Sequence, residues 1–269
     1  MTWKKLPFQP LKFALVMSFA VLNCTPVQGQ PVEPLILLKQ QNLNPSANLL
    51  VAESQEPPPG QGAPRGTKPG GSRNPCPAIQ KSLTPLVLTT KQSENRELRW
   101  SYTTKANPTL WVYVPYDAQS ISSSKFSLRN QAGEKVYETD LNLTGTPGVI
   151  NISVPSTAPP LQSNQWYQWY LFVDVYCTPT TPAQQDSVDG WVKREEPNAT
   201  LKTELEKATP QQQADLYGKE GFLEEALITL AELKKTNPSE DNWTKLLRDS
   251  GLEAIATEPV VDCCTPESQ

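Results

Sequence analysis

The sequence predicts a mainly β protein: an immunoglobulin-like antiparallel β-sandwich followed by a short α-helical segment with the pattern of a single tetratricopeptide-like helix pair. Three observations carry this expectation. Between Leu83 and Arg194, short runs rich in β-branched and aromatic residues recur between turn residues. Beyond Pro197 the apolar residues change from alternation to a helical period. Ahead of both, residues 30–75 are too poor in apolar side chains to offset the entropy of ordering them. The organisation expected is a signal peptide over 1–29, a Pro/Gly/Gln-rich tether over 30–75, the sandwich over 76–197, the helical segment over 198–258 and a flexible tail over 259–269.

The N-terminus reads as an export signal. Lys4, Lys5 and Lys12 precede an uncharged apolar run from Phe13 to Leu22, which is too short for the ~20 apolar residues of a membrane span. Val27-Gln28-Gly29 places small residues where a signal peptidase reads, so cleavage is expected after Gly29. A competing reading makes Cys24 a lipidated cysteine, although Asn23 fits poorly before it. Within the tether, RGTKPGGSR invites comparison with a phosphate-binding loop. No apolar strand precedes it, no helix follows, and G-x-x-x-x-G-K-[ST] is absent.

Seven strands are expected: LVLTT, LWVYV, KFSLR, KVYET, GVINISV, WYQWYLFVDVY and SVDGWVKR, punctuated by Asn107-Pro108, Ala132-Gly133, Pro147-Gly148 and Ala158-Pro159-Pro160. The run from Gln165 to Cys177 is the densest in aromatics. Alternation puts Tyr167, Trp169, Leu171, Val173, Val175 and Cys177 on one side, the better core face. Trp166, Gln168, Tyr170, Phe172, Asp174 and Tyr176 fall on the other. That second face is mixed, and either lies under the helical segment or offers Trp166, Tyr170, Phe172 and Tyr176 to a ligand.

In the helical part, Thr209-Pro210-Gln211-Gln212 has an N-cap, a proline at the first helical position and a glutamine at the third. Gly221 breaks that helix. Ala226, Leu227, Leu230 and Leu233 form the next apolar stripe, stopped by Asn237-Pro238, and a further helix is expected from Glu240 to Ser250. Ala214, Tyr217, Gly221, Ala226, Leu230 and Pro238 hold the small, aromatic, turn, small, bulky and proline positions of a tetratricopeptide repeat. One copy cannot cover its own apolar face, so another helix or the sandwich must do so.

Four cysteines remain once Cys24 is set aside, an even number in an oxidising compartment. Four thiols allow three pairings. The adjacency of Cys263 and Cys264 suggests that they pair with each other or with another chain, which leaves Cys76 with Cys177 as the economical remaining bridge.

Composition narrows the function. With no histidine, Ser-His-Asp and Cys-His nucleophile activation and every His-containing metal site are excluded. A net charge of −4 gives no general attraction to nucleic acid, which is not expected as a partner. No transmembrane span, cofactor, metal or catalytic set is expected; Asp174, Asp186, Asp189, Glu195 and Glu196 lie near strand ends without a spacing that makes them a pair.

The ordered set RGT…GSR…CP, NPTLWVYVPY, TPGVINISVPSTAPPL, QWYQWYLFVDVYC, GWVKREEP and ATPQQQADLYGKEGFLEEALITLAELKKTNP resembles a cyanobacterial family of exported proteins described as a domain of unknown function, of the DUF nine-two-eight type. The resemblance covers about Arg65 to Pro259. It implies an exported protein, periplasmic or on the cell surface, and no activity. The function expected is a non-enzymatic protein-interaction or structural module of the cell envelope, with an envelope protein or glycan as partner. The alternative is a carbohydrate-binding sandwich that uses exposed aromatics.

Overall fold

The computed structural model of the chain describes residues 75–264, apart from residue 77 and residues 94–95 and 238–240. All of them belong to one of the two units into which the chain divides, Asn44–Gln269. Residues 1–74, which hold the expected signal peptide with Cys24 and all but the last residue of the expected tether, and residues 265–269 lie outside the described residues.

Nine strands are described: β1 (Thr84–Pro85), β2 (Leu88–Ser93), β3 (Arg96–Thr103), β4 (Thr109–Val114), β5 (Ile121–Asn130), β6 (Lys135–Asp140), β7 (Gly148–Ser153), β8 (Trp166–Val175) and β9 (Gln184–Arg194). They form a three-stranded sheet in the order β1-β4-β7 and a six-stranded sheet in the order β2-β3-β9-β8-β5-β6. The helices α1 (Ala199–Lys207), α2 (Pro210–Lys219), α3 (Leu223–Thr236) and α4 (Asn242–Asp249) follow. The protein is mainly β with a helical C-terminal part.

Two differences from the expected strands have clear causes. LVLTT is not one strand: β1 pairs with β4, Leu86 and Val87 cross between the sheets, and β2 pairs with β3. Because the chain changes sheets there, both of these consecutive side chains are buried, each in a different core cluster. β3 was not expected, since Arg96, Glu97 and Arg99 mask the alternation of Leu98, Trp100 and Tyr102. It also makes the one parallel pairing among the named strands, with β9 from Trp100↔Trp191 to Thr103↔Arg194, so the large sheet is mixed rather than wholly antiparallel. Parallel neighbours need a long crossover, and here β4 to β8 supply it.

Alternation along the strands creates two cores. Leu110, Val112 and Val114 of β4 and Trp169, Leu171 and Val173 of β8 meet between the sheets. Trp169 lies directly opposite Gly190 on β9, and a Cβ at that glycine would sit 2.8 Å from the indole. On the opposite parity, Trp111 and Tyr113 of β4 and Leu98, Trp100 and Tyr102 of β3 join a second cluster with Leu223, Leu227 and Leu230 of α3 and Trp243 of α4. The Trp111 and Trp243 rings meet edge-on at 5.5 Å.

The helical part begins on its sequence signals. Asn198 caps α1 through its side chain, and Thr209 and Gln212 form a reciprocal capping box at α2 with Pro210 at the first helical position. Gly221, at φ 83°, turns the chain between α2 and α3, and its carbonyl accepts from the Tyr102 amide at 2.9 Å. Helix and sheet are therefore joined through backbone as well as side chains.

The flexible tail expected from residue 259 is corrected for its first residues. Val149 donates to the Pro259 carbonyl at 2.7 Å and accepts from the Val261 amide at 2.9 Å, so the segment lies along the edge of β7. Gly145, at φ 77°, and Gly148 form its seat: Cβ atoms there would fall 2.9 Å from the Asp262 carbonyl and 2.6 Å from the Val261 side chain. Lys81 pairs with Glu258 at the start of this strap. Burial, and then the Glu258 carboxylate, push the Tyr113 phenol up to about 12. Two apolar residues and an otherwise unpaired strand edge are enough to dock a segment that composition marks as polar.

Two disulfides are formed. Cys76–Cys177 ties the entry segment to the residue after Tyr176 across a sequence separation of 101, and Cys263–Cys264 closes a ring between neighbours. On the chain-entropy model the first stabilises by about 4.7 kcal/mol and the second by only about 1 kcal/mol, because so short a loop restricts the unfolded chain little. Urea unfolding of a Cys76→Ser/Cys177→Ser double variant is expected to lose most of that larger sum, and a Cys263→Ser/Cys264→Ser variant about 1 kcal/mol or less. In the same assay Gly190→Ala, which drives a methyl into Trp169, is expected to lose about 1–3 kcal/mol. An unchanged midpoint would refute the packing assigned to that pair.

Candidate functional site

Three groupings of side chains are placed to do something: the second face of β8, the carboxylates near the strand ends, and a buried pair at the start of α3. On β8 the row Tyr167 to Cys177 joins the core between the sheets. The opposite row divides along its length. Trp166, 6% exposed, packs against Trp100 and Tyr102, and the Lys193 ammonium stands 5.9 Å from its ring. Tyr102 in turn meets Phe222 ahead of α3, so this end of the row lies at the junction with the helical part. Tyr170 is 4% exposed and stacks on Phe172 at 5.9 Å. Phe172 is half-buried, and Tyr176, 46% exposed, is the one large apolar side chain in the open among the described residues. The four aromatics do not form a continuous exposed platform.

Beside them, cross-strand pairing lines up Ser127, Tyr170 and Asp189 in one row over β5, β8 and β9. The Gln168 amide donates to Asp189 at 3.0 Å. Burial raises the Asp189 carboxyl against the opposing effects of Gln168 and Arg99, and burial raises the Tyr170 phenol, whose hydroxyl has no hydrogen-bond partner. The other carboxylates near strand ends are tied to separate partners. Asp174 accepts from Ser123 and Gln185, Asp186 accepts from Tyr116 at 2.6 Å in the interior, Glu195 pairs with Lys193 and Glu196 with Lys202. No two of them share a partner among these contacts.

The most unusual group carries no mark of its own in the sequence. Glu224 and Glu225, 3% and 5% exposed, stand in the first turn of α3 and meet the turn that joins β3 to β4. One Glu225 oxygen accepts from the Thr103 hydroxyl at 3.1 Å, the Thr104 amide at 2.5 Å and the Thr104 hydroxyl at 2.7 Å. One Glu224 oxygen accepts from the Thr109 amide. The second oxygen of each carboxyl is buried without a partner. Burial raises both acids, Glu224 well above the usual carboxylate range, and the neighbouring Glu225 adds to that rise; the amide and hydroxyl donors work against it.

These glutamates are hidden in sequence because acidic residues in a first helical turn are ordinary partners of the helix dipole. The signal lies in their neighbours. In FLEEAL, Phe222, Leu223, Ala226 and Leu227 occupy the other directions around that turn and are all buried, so no solvent side remains. Closed to solvent, the pair is placed to hold the helical part on the sandwich rather than to meet a substrate.

Among the described residues no group of three or more His, Cys, Asp or Glu is arranged to hold a metal ion, and no helix is long and apolar enough to cross a membrane. No curated protein and no solved structure matches the chain. A family model matches residues 68–260, which span both sheets, the four helices and the start of the strap. With well over half of its length matched as one stretch, the chain belongs to the family described as Domain of Unknown Function (DUF928).

Proposed function

We propose that this protein is an exported, non-enzymatic interaction or structural module of the cell envelope, in which sandwich and helices together present one fixed surface. The observation that carries this reading is the second core. Aromatic residues of β3, β4 and β8 and the Glu224–Glu225 pair are all engaged in holding the helices, so the helical part is a built-in wall of the domain. A tetratricopeptide-like pair with its apolar face covered in this way offers partners its outer side and the adjoining sheet. Export is supported by the N-terminal signal pattern and by the two disulfides, bonds that persist in oxidising compartments.

A carbohydrate-binding reading keeps one supporting observation. Phe172, Asp174 and Tyr176 follow each other on the less covered end of the β8 row, with Gln185 bonded to Asp174 beside them. An aromatic next to fixed amide and carboxylate groups suits a sugar face and its hydroxyls. Trp166 and Tyr170 are too enclosed to share in it.

Fractionation of cells that produce the full chain is expected to place the processed protein outside the cytoplasm. Crosslinking there is expected to give a discrete protein adduct, and sedimentation with purified envelope polysaccharide is expected to leave the protein in solution. Mature protein in the cytoplasmic fraction would overturn the export reading. Co-sedimentation that is lost in Tyr176→Ala would replace the protein-interaction reading with the carbohydrate one.

A further inference from the structure

We propose that Glu224 and Glu225 form a joint that retains a proton, so that the helical part is held on the sandwich most firmly in mildly acidic surroundings and is loosened as the medium turns alkaline. The geometry supplies the argument. Two carboxyls on consecutive residues are enclosed at one seat, and the donors that reach them satisfy only one oxygen of each. Glu225 has three donors on one oxygen, the arrangement of an ionised carboxylate. Glu224 accepts at one oxygen from the Thr109 amide, with the Thr103 hydroxyl also acting on it, and has a bare second oxygen, the arrangement of the partner that keeps a proton.

The surrounding charges do not remove the need for that proton. On the β3–β4 turn Lys105 faces Glu224, and on α2 the Tyr217 phenol faces Glu225 and is itself raised by burial and by that carboxylate. At the end of β9, Lys193 is engaged with Glu195 at 2.6 Å; on α4, Lys245 stands 3.6 Å from Asp249. A single lysine that acts through its charge alone cannot balance two enclosed carboxylates, because an enclosed charge without a hydrogen-bonded partner is far costlier than a neutral acid.

The sign of the effect follows from linkage. In the unfolded chain both glutamates lose their protons near the ordinary value of 4.5, whereas the folded joint retains one above it. Stability from this source is therefore complete below about that value and is lost as pH rises through the raised folded value. Over that window one retained proton lowers the folded-to-unfolded ratio about tenfold per pH unit. Asp189 is raised as well and works in the same direction, so the test must isolate the joint.

The experiment compares the full chain with Glu224→Gln. Urea unfolding between about pH 5 and about pH 9 is expected to show the wild-type midpoint falling with pH and the variant's falling much less, with about one proton fewer released on unfolding near neutrality. Parallel midpoint profiles and equal proton release would overturn the proposal. Should the variant fail to fold, infrared spectroscopy at neutral pH of a folded Asp189→Asn chain, which keeps both glutamates and removes the other raised carboxyl, decides the matter. A carboxylic-acid C=O band that vanishes on unfolding supports the joint, and a spectrum without one refutes it.

Discussion

β4 has no solvent face, and the rest of the structure follows from that constraint. In TLWVYV every residue after Thr109 is buried. Leu110, Val112 and Val114 need the large sheet, while Trp111 and Tyr113 need something on the other side. A sandwich alone would leave two large aromatics in water, together with Trp100, Tyr102 and Trp166 of the larger sheet. The apolar stripes of α3 and α4 meet that demand, and the same contact relieves a lone helix pair of its exposed face. The core between the sheets is closed by the sandwich alone, whereas the second core needs both parts. One family pattern runs through both, from residue 68 to residue 260.

Much of this was legible in sequence where a local rule acted alone. The Thr209 capping box, the Gly221 turn and the two rows of β8 depend on neighbours a few residues away, and each stands where pattern places it. The rest depended on distant chain. β3 was obscured by Arg96, Glu97 and Arg99, and it is a strand because β2 and β9 flank it. Pro259 to Val261 read as tail because nothing local holds them; the edge of β7, more than a hundred residues earlier, does so. Glu224 and Glu225 read as first-turn charges, since no sequence period reveals that a threonine-rich turn from the other part will close over them.

The strap and the Cys76–Cys177 disulfide both act at strand ends and edges. Cys76–Cys177 draws the entry segment onto the end of β8, and Lys81, a few residues on, meets Glu258 at the start of the strap. The two ends of the described chain thus converge beside the small sheet. Gly145 and Gly148 let the returning strap approach backbone to backbone, a contact that any side chain at position 148 would block. The edge of β7 near Val149 is thereby covered, which lowers its tendency to recruit a foreign strand.

Where aromatic packing joins helices to sheet, burial of apolar surface holds the contact. At the β3–β4 turn the same junction is polar, and Thr103, Thr104 and Thr109 direct their donors at α3. An apolar pair in place of Glu224 and Glu225 would strand those amides and hydroxyls without acceptors, an arrangement that costs about 1–3 kcal/mol for each group left buried and unpaired. Carboxyls satisfy the turn, but two of them bring more negative charge than the enclosed site accommodates. The seat therefore fixes the register of α3 on the sandwich at the expense of some stability, and it sets two buried carboxyls into a largely apolar interface.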